Sequence, residues 1–327
     1  MKERYYVAWW NVENLFDVYN SPNRPAWLQQ KLAGELAGWT LDVLKRKVQN
    51  LGKIISMMNG GNGPDILGLC EIENQNVLVW LLKSLPNLNR NYKFVHHDMS
   101  DERGIDIAFI YDAEKFTFEE SFHHVVLKRN ATRDILQANF VTSSGNPLIL
   151  IGNHWPSRTS GEQETEPYRI MAAETMSYWL ERIFDIKGGN TPVLVMGDFN
   201  DEPFNKSIAD YALSTSSRMK VINSRTPRLM NLMWPFFGNV AGTYFYDNFP
   251  LIFDQIMASK EMLKKTGKIR IATDDSDNNL VNIETFAPMV ATGDYPTPIF
   301  FSRPSEKGKF NANGYSDHFP VSVILEE

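Results

Sequence analysis

The sequence predicts an α/β fold in which mixed β-sheets are covered by helices, and three observations carry that prediction. Short apolar runs recur along the chain, each touching a polar residue at one end. Amphipathic helical patterns lie between them. These polar junctions extend from Asn11 to His318 with no linker-like stretch among them. Continuous apolar runs bounded by turn residues read as buried strands, and their alternation with helical segments is the pattern of layered α/β proteins.

Taken in order, Tyr5–Trp10 runs into Asn11, and Ile66–Cys70 into Glu71. Leu148–Gly152 runs into Asn153 and His154, and Val193–Gly197 into Asp198. Three other runs begin with the polar residue: Asp106 before Ile107–Tyr111, Asp254 before Gln255–Ala258, and Asp317–His318 before Phe319–Leu325. If this second group runs antiparallel to the first, all the polar termini fall on one edge of the sheets. Helical patterns cover Leu41–Met58, Val77–Leu85 and Tyr168–Ile186. The last can begin at Thr165, with Pro167 in its first turn, where proline is tolerated. Asn20–Pro25, Asn59–Pro64, Thr159–Glu166, Asn223–Val240 and Thr273–Asn279 read as loops. Length alone favours two domains; the spread of the polar termini overrides it, and residues 1–327 read as one.

Composition narrows the function classes. With 327 residues, 43% of them hydrophobic, the chain can bury a core without disulfides or a structural metal. Charged residues at 22%, 20 Gly and 17 Pro exclude a disordered or fibrous chain. No apolar run approaches the roughly 18 residues of a membrane-spanning helix, so no membrane insertion is expected. A net charge of −6 argues against a broad electrostatic grip on nucleic acid while allowing a local basic rim. The single cysteine, Cys70, excludes an intramolecular disulfide and multi-cysteine zinc sites. The opening MKERYYVAWWNVENLF lacks the long apolar stretch and cleavage site of a signal peptide. The protein is therefore expected to be cytoplasmic as given, or exported if a leader has been removed.

The strongest chemical signal is VLVMGDFND, Val193–Asp201. Asp198 and Asn200 are two apart and share one side of an extended backbone, and Gly197 permits a close backbone approach. Polar groups ending a buried strand are expensive unless they have partners. The bland alternative is a polar turn with Asp201 capping a helix near Pro203. GYSDHFPV, Gly314–Val321, sets Asp317 beside His318, a metal ligand next to a proton-transfer group; alone it would read as a turn. ILGLCEIEN ends a strand in Glu71 and Glu73, which could equally be acids at a helix N-terminus. AWWNVENLF presents Asn11, Glu13 and Asn14, and GNHWPSR presents His154 and Arg158.

The joint order of these residues, Asn, Glu, His, Asp-x-Asn, Asp and then Asp-His, resembles the endonuclease/exonuclease/phosphatase superfamily. That group includes deoxyribonucleases of the pancreatic type, abasic-site endonucleases, inositol polyphosphate 5-phosphatases and sphingomyelinases. The resemblance runs from Ala8 to Leu325, with GDFND and SDHFPV its most specific pieces. It implies a two-sheet mixed β-sandwich flanked by helices, a four-layer α/β/β/α arrangement of deoxyribonuclease type, with the site along one sheet edge. It also implies that Asn11, Glu71 and Asp317 surround a divalent cation, and that Asp198 positions or deprotonates the attacking water. Asn200 would hold a phosphate oxygen, His318 would face the phosphorus, Asp254 would orient His318, and His154 would contact the phosphate. Glu13 sits where members differ and carries little weight. Oxygen ligands of this kind favour Mg²⁺ or Mn²⁺ over zinc.

Some residues stand outside the match. Many members have Gln where Cys70 stands, and Cys70 reads as structural. His96, His97, His123 and His124 read as strand or surface histidines. Trp9, Trp10, Trp155 and Trp234 read as core, Trp155 being the one beside the site. Arg103 and Arg158 flank site strands as phosphate clamps or as salt-bridge partners, and Arg158 is taken as substrate-binding. The expected function is metal-dependent hydrolysis of a phosphodiester, with a nuclease as first candidate. The alternative is a phosphomonoesterase or phosphodiesterase acting on a small metabolite or lipid headgroup. The expected partner is a phosphorylated substrate, DNA or RNA among them, with no obligate protein partner evident. A non-catalytic binding protein on the same fold is a further alternative, disfavoured because such proteins normally lose the acid, amide and histidine positions retained here.

Overall fold

The computed structural model describes residues 3–85, 88–99, 101–127, 132–293 and 295–327. The first part of the chain forms β1 (Arg4–Leu15), α1 (Ala26–Leu32), α2 (Leu41–Gly61), β2 (Ile66–Ile72) and α3 (Gln75–Lys83). There follow β3 (Tyr92–His96), β4 (Asp106–Asp112), β5 (Phe116–His124), β6 (Ile135–Thr142), β7 (Pro147–His154), α4 (Glu162–Lys187) and β8 (Val193–Asp198). The last part holds β9 (Ser214–Thr215), α5 (Arg218–Asn223), β10 (Leu229–Asn231), β11 (Tyr244–Tyr246), β12 (Phe249–Leu251) and β13 (Asp254–Ala258). It ends with α6 (Lys260–Leu263), β14 (Arg270–Ile271), β15 (Val281–Ile283) and β16 (Val321–Glu326).

Among the described residues the strands form a separate two-stranded β11-β12 sheet and two sheets of seven strands each. One is ordered β14-β16-β1-β2-β4-β3, with β15 also on β16, and the other β5-β6-β7-β8-β13-β10-β9. Strand β1 is parallel to β2 and β7 to β8, whereas β16, β4 and β13 run antiparallel to their neighbours. Runs that end in a polar residue and runs that begin with one therefore place those residues on the same edge. In the second sheet His154 lies opposite Asp198, which lies opposite Asp254.

The layers follow from which faces are apolar. A core cluster joins both sheets to α2 and includes Trp9, Phe109, Leu150, Met196, Leu44, Val48, Leu51 and Ile55. The α2 residues recur at three- and four-residue spacing, one stripe of a helix. A second cluster seats Ala172, Ala173, Met176 and Leu180 of α4 on Ile149, Ile151, Val193 and Val195. The arrangement is the expected α/β/β/α sandwich.

Several elements differ from expectation. Helix α4 begins at Glu162, so Pro167 falls beyond its first turn. The added turn is held by the wholly buried Arg169, which donates to the Thr165 hydroxyl at 2.6 Å and the Glu162 carbonyl at 2.8 Å. The final strand begins at Val321, not Phe319. Phe319 instead donates its N–H to the Thr243 carbonyl, and Pro320 has no N–H to give a ladder. The segment read as a loop over Asn223–Val240 contains β10. Strands β5 and β6 escaped an apolar-run reading because their buried positions include polar residues. Gln137 and Asn139 are buried in β6 and satisfy one another and their neighbours: Gln137 donates to Asn139 and Asn139 to Glu120, both at 2.9 Å. Among the described residues, no helix is long and apolar enough to cross a membrane.

Candidate active site

The geometry converges on one carboxylate oxygen. Asp198 Oδ2 accepts a hydrogen bond from Asn11 Nδ2 at 3.0 Å, which links the two sheets across their common edge. The same oxygen lies 3.8 Å from His154 Nε2 and 3.9 Å from His318 Nε2. Its twin, Oδ1, accepts the Asn200 N–H at 3.0 Å. Next to Asp198, β8 approaches β7 closely at Gly197, the register partner of Asn153. A Cβ there would lie 2.5 Å from the Asn153 carbonyl oxygen. Burial pushes the Asp198 carboxyl up to about 6; Asp254 adds to the rise, and His318 opposes it.

His318 is fixed on every side. Its Nδ1 pairs with Asp254 Oδ2 at 2.6 Å, and Asp254 is wholly buried. Its backbone N–H donates to Ser316 Oγ at 3.1 Å, and that hydroxyl donates to the Asn11 carbonyl at 2.6 Å. Trp10 Nε1 donates to the His318 carbonyl at 2.9 Å, and the Tyr244 ring lies 4.8 Å away, tilted against the imidazole. Burial works against a charged imidazole, but Asp254, Asp317 and Asp198 together hold His318 well above its usual range. Its Nε2, 4.0 Å from Asp317 Oδ1, faces the cleft.

Glu71 sits in a β-bulge where the register between β2 and β4 shifts, with φ at 67°. Bulges of this kind re-aim a side chain, and here Glu71 Oε2 accepts the Asn14 N–H at 2.7 Å. The other oxygen, Oε1, is 3.7 Å from His154 Nε2 and 3.6 Å from Arg103 Nη2. Burial drives His154 well below its usual pKa, with Arg133, Arg103 and His318 adding to the fall, so the ring is neutral. Asn200, at φ 50°, spends one amide hydrogen on the Trp155 carbonyl at 3.0 Å. Asn11, Glu71, His154, Asp198, Asn200, Asp254, Asp317 and His318 are thus neighbours along one cleft.

Arg158 is placed differently from the expectation of a substrate clamp. Its Nε donates to the Asn200 carbonyl at 2.8 Å and its Nη2 to Asp201 at 2.8 Å and Asn205 at 3.0 Å. Its Nη1 lies 3.0 Å from Glu162, and the guanidinium lies over the Phe253 ring. Every nitrogen is occupied, and Asp201 is bound on its other side by Arg169 at 2.8 Å rather than capping a helix. Glu13 is likewise committed: it accepts the N–H groups of Phe301 and Ser302 at 2.7 and 2.8 Å and lies 3.6 Å from the buried Lys47. Burial pushes the Cys70 thiol well up, which suits a structural residue.

Sequence reasoning missed Thr243, Ser316 and Tyr244. Thr243 Oγ1 accepts the N–H groups of both Phe253 and Asp254 at 3.0 Å and so fixes the strand start that carries Asp254. A signal for the hairpin bearing Tyr244 was present: Asp247–Asn248 between aromatic residues, both at positive φ.

The residues fit a hard divalent cation. Glu71 Oε1 has cationic and imidazole neighbours at 3.6 and 3.7 Å, and Asp317 has 38% of its side chain exposed. The Asn11 side-chain oxygen, Oδ1, accepts the Glu13 N–H at 3.0 Å and keeps a second lone pair for a cation. Asp198, Asp254 and His318 also present ligand atoms within 4.8 Å of one another, but the Nδ1 of His318 is already engaged by Asp254.

Comparison with known proteins agrees. The model of the Endonuclease/Exonuclease/phosphatase family matches residues 6–327. No curated protein matches. Among solved structures, the chain is similar to the mannosyl-6-phosphatase of Bacteroides thetaiotaomicron, at 16% identity and a TM-score of 0.59, over 98% of this chain and 99% of that one. It is similar to an endonuclease/exonuclease/phosphatase family protein of the same species, at 15% identity and a TM-score of 0.58, over 100% and 98% of the two chains. It is also similar to a humanized TDP2 of D. rerio, at 14% identity and a TM-score of 0.58, over 99% of each. With the family pattern spanning the chain and the acids, amides and histidines meeting at one sheet edge, the protein belongs to the Endonuclease/Exonuclease/phosphatase family and is a phosphoester hydrolase.

Proposed function

We propose that residues 1–327 form one catalytic unit that hydrolyses a phosphodiester by in-line attack of water, with nucleic acid as the substrate class. The observation that carries this reading is the position of Asp198 Oδ2, within 4 Å of both His154 Nε2 and His318 Nε2 and hydrogen-bonded to Asn11. At neutral pH Asp198 is ionised and accepts the proton of the attacking water. His318, kept charged by Asp254, presents a fixed N–H to the phosphate. Neutral His154, whose Nε2 faces two carboxylates, offers a second donor, and Asn200 keeps one free amide hydrogen for a phosphate oxygen. Asn11, Glu71 and Asp317 would hold Mg²⁺ or Mn²⁺, which supplies charge neutralisation to the phosphate oxygens. Arg158 braces the Asn200 backbone from behind, and Arg103, with 44% of its side chain exposed, is the cation placed to meet substrate.

A second reading, hydrolysis of a small phosphomonoester, is favoured by one feature. Besides Arg103, the arginines nearest the cleft are committed to acids, Arg133 to Asp101 and Arg158 to Asp201. A mannosyl-6-phosphatase is among the similar structures. A hydrolysis panel with Mg²⁺ and Mn²⁺ separates the two. Cleavage of oligonucleotides or aryl phosphodiesters, lost in His318→Ala, supports the first reading. Turnover of sugar monoesters alone overturns it in favour of the second.

A further inference from the structure

Outside the cleft, one buried imidazole has no hydrogen-bond partner. His96 closes β3; none of its side chain is exposed, and neither ring nitrogen makes a hydrogen bond. What faces the ring is acidic. Its Nε2 lies 3.4 Å from Asp106 Oδ2 and its Nδ1 3.8 Å from Asp98 Oδ1. Asp106 is 2% exposed; its Oδ1 accepts the Met99 N–H at 3.1 Å, which leaves Oδ2 for His96. One ion can take a single ring nitrogen of His96; with one atom offered by each of the three residues, those atoms all lie within 4.8 Å of one another.

The spacing is informative. An imidazole paired with a carboxylate closes to hydrogen-bond length, as His318 and Asp254 do at 2.6 Å. The 3.4 Å gap at His96 is longer and matches the separation of two ligands on one ion. Bonds of about 2.0–2.1 Å meeting at a tetrahedral angle place their donors about 3.4 Å apart. We propose that His96, Asp98 and Asp106 form a second cation site, selective for a borderline divalent ion such as Zn²⁺, with water completing the coordination. An imidazole among the ligands separates this set from the all-oxygen set in the cleft, because nitrogen donors favour Zn²⁺ over Mg²⁺. The site would tie together the two ends of the segment that carries Arg103 to Glu71 and Asn14. Asp106 is the register partner of Ile72, one residue beyond Glu71.

The test counts ions. Metal-stripped protein is equilibrated with Zn²⁺ in excess Mg²⁺, and bound zinc per chain is measured together with the melting temperature. Wild type should retain one zinc and gain melting temperature from it. His96→Gln should lose that zinc. Asp98→Asn, at a side chain 74% exposed and so without consequence for folding, should weaken it at least about tenfold. Glu71→Gln should keep it, which separates this ion from any in the cleft. Equal zinc binding by wild type, His96→Gln and Asp98→Asn would overturn the proposal, as would loss of the zinc in Glu71→Gln alone.

Discussion

His318 shows how a single side chain acquires its chemistry from neighbours. Ser316, Trp10 and Tyr244 fix its position, and Asp254 fixes both its orientation and its charge. His318→Ala should lower turnover by about 10²–10⁴-fold, measured on protein shown to be folded, since the change also removes the partner of the buried Asp254. Asp254→Asn should cost less, and the double variant no more than His318→Ala, since residues acting as a unit are not additive. Multiplicative losses in that cycle would refute the pairing. The pH profile carries the sign. Asp198 must lose its proton to act, so kcat/KM should rise through about pH 6. It should fall in the alkaline range, where His318 finally deprotonates. Asp254→Asn should move that alkaline limb to lower pH, and an unmoved limb would show that Asp254 does not set the charge. Stability follows the same logic. His318, raised above 6.5, contributes fully below that value, and its contribution is lost as pH climbs through the higher folded value. The site acids were legible because a polar group ending an apolar run announces itself. Arg158 was not, because whether a guanidinium meets substrate or Asp201 depends on where residues far along the chain arrive.

At the scale of the element, close approach decides what each strand can carry. Gly68 of β2 sits under the Trp9 indole, where a Cβ would come within 2.4 Å of the ring. Neither residue can shift freely, because Trp9 is wholly buried between the sheets. Gly68→Ala should therefore destabilise by about 1–3 kcal/mol through overpacking, measured as a lower denaturant midpoint with an unchanged slope. An unaltered midpoint would mean that the indole has room to move. The apolar strands and α2 were readable from pattern alone, since their stripes and runs are unbroken. Strand β6 was not, because Gln137 and Asn139 are buried with partners supplied by β5 and by each other. The early start of α4 was equally hidden, since Arg169 stabilises that turn by a contact to Asp201 across the fold.

The whole molecule brings together two half-sites. Glu71, Asn11, Asp317 and His318 belong to segments of the first sheet, and His154, Asp198, Asn200 and Asp254 to segments of the second. The Asn11–Asp198 hydrogen bond joins them. Chelation should consequently abolish activity without unfolding the protein, and Mg²⁺ or Mn²⁺ should restore it. Glu71→Gln should raise the metal concentration needed for half-maximal activation by about 10-fold or more, with folding intact, because it removes charge from a ligand without changing its shape. Full turnover in excess chelator would refute the metal assignment. What the sequence determined by itself was the fold class, the seven apolar runs and their polar ends, because burial and residue spacing are local properties of a strand or helix. What only the tertiary structure decided was where the charges outside the matched set found their partners. Glu13 went to the Phe301–Ser302 backbone, Arg158 to Asp201, and His96 to a pair of acids outside the cleft. Electrostatic partnership depends on distances of a few ångströms between residues far apart in the chain, and no one-dimensional pattern encodes those distances.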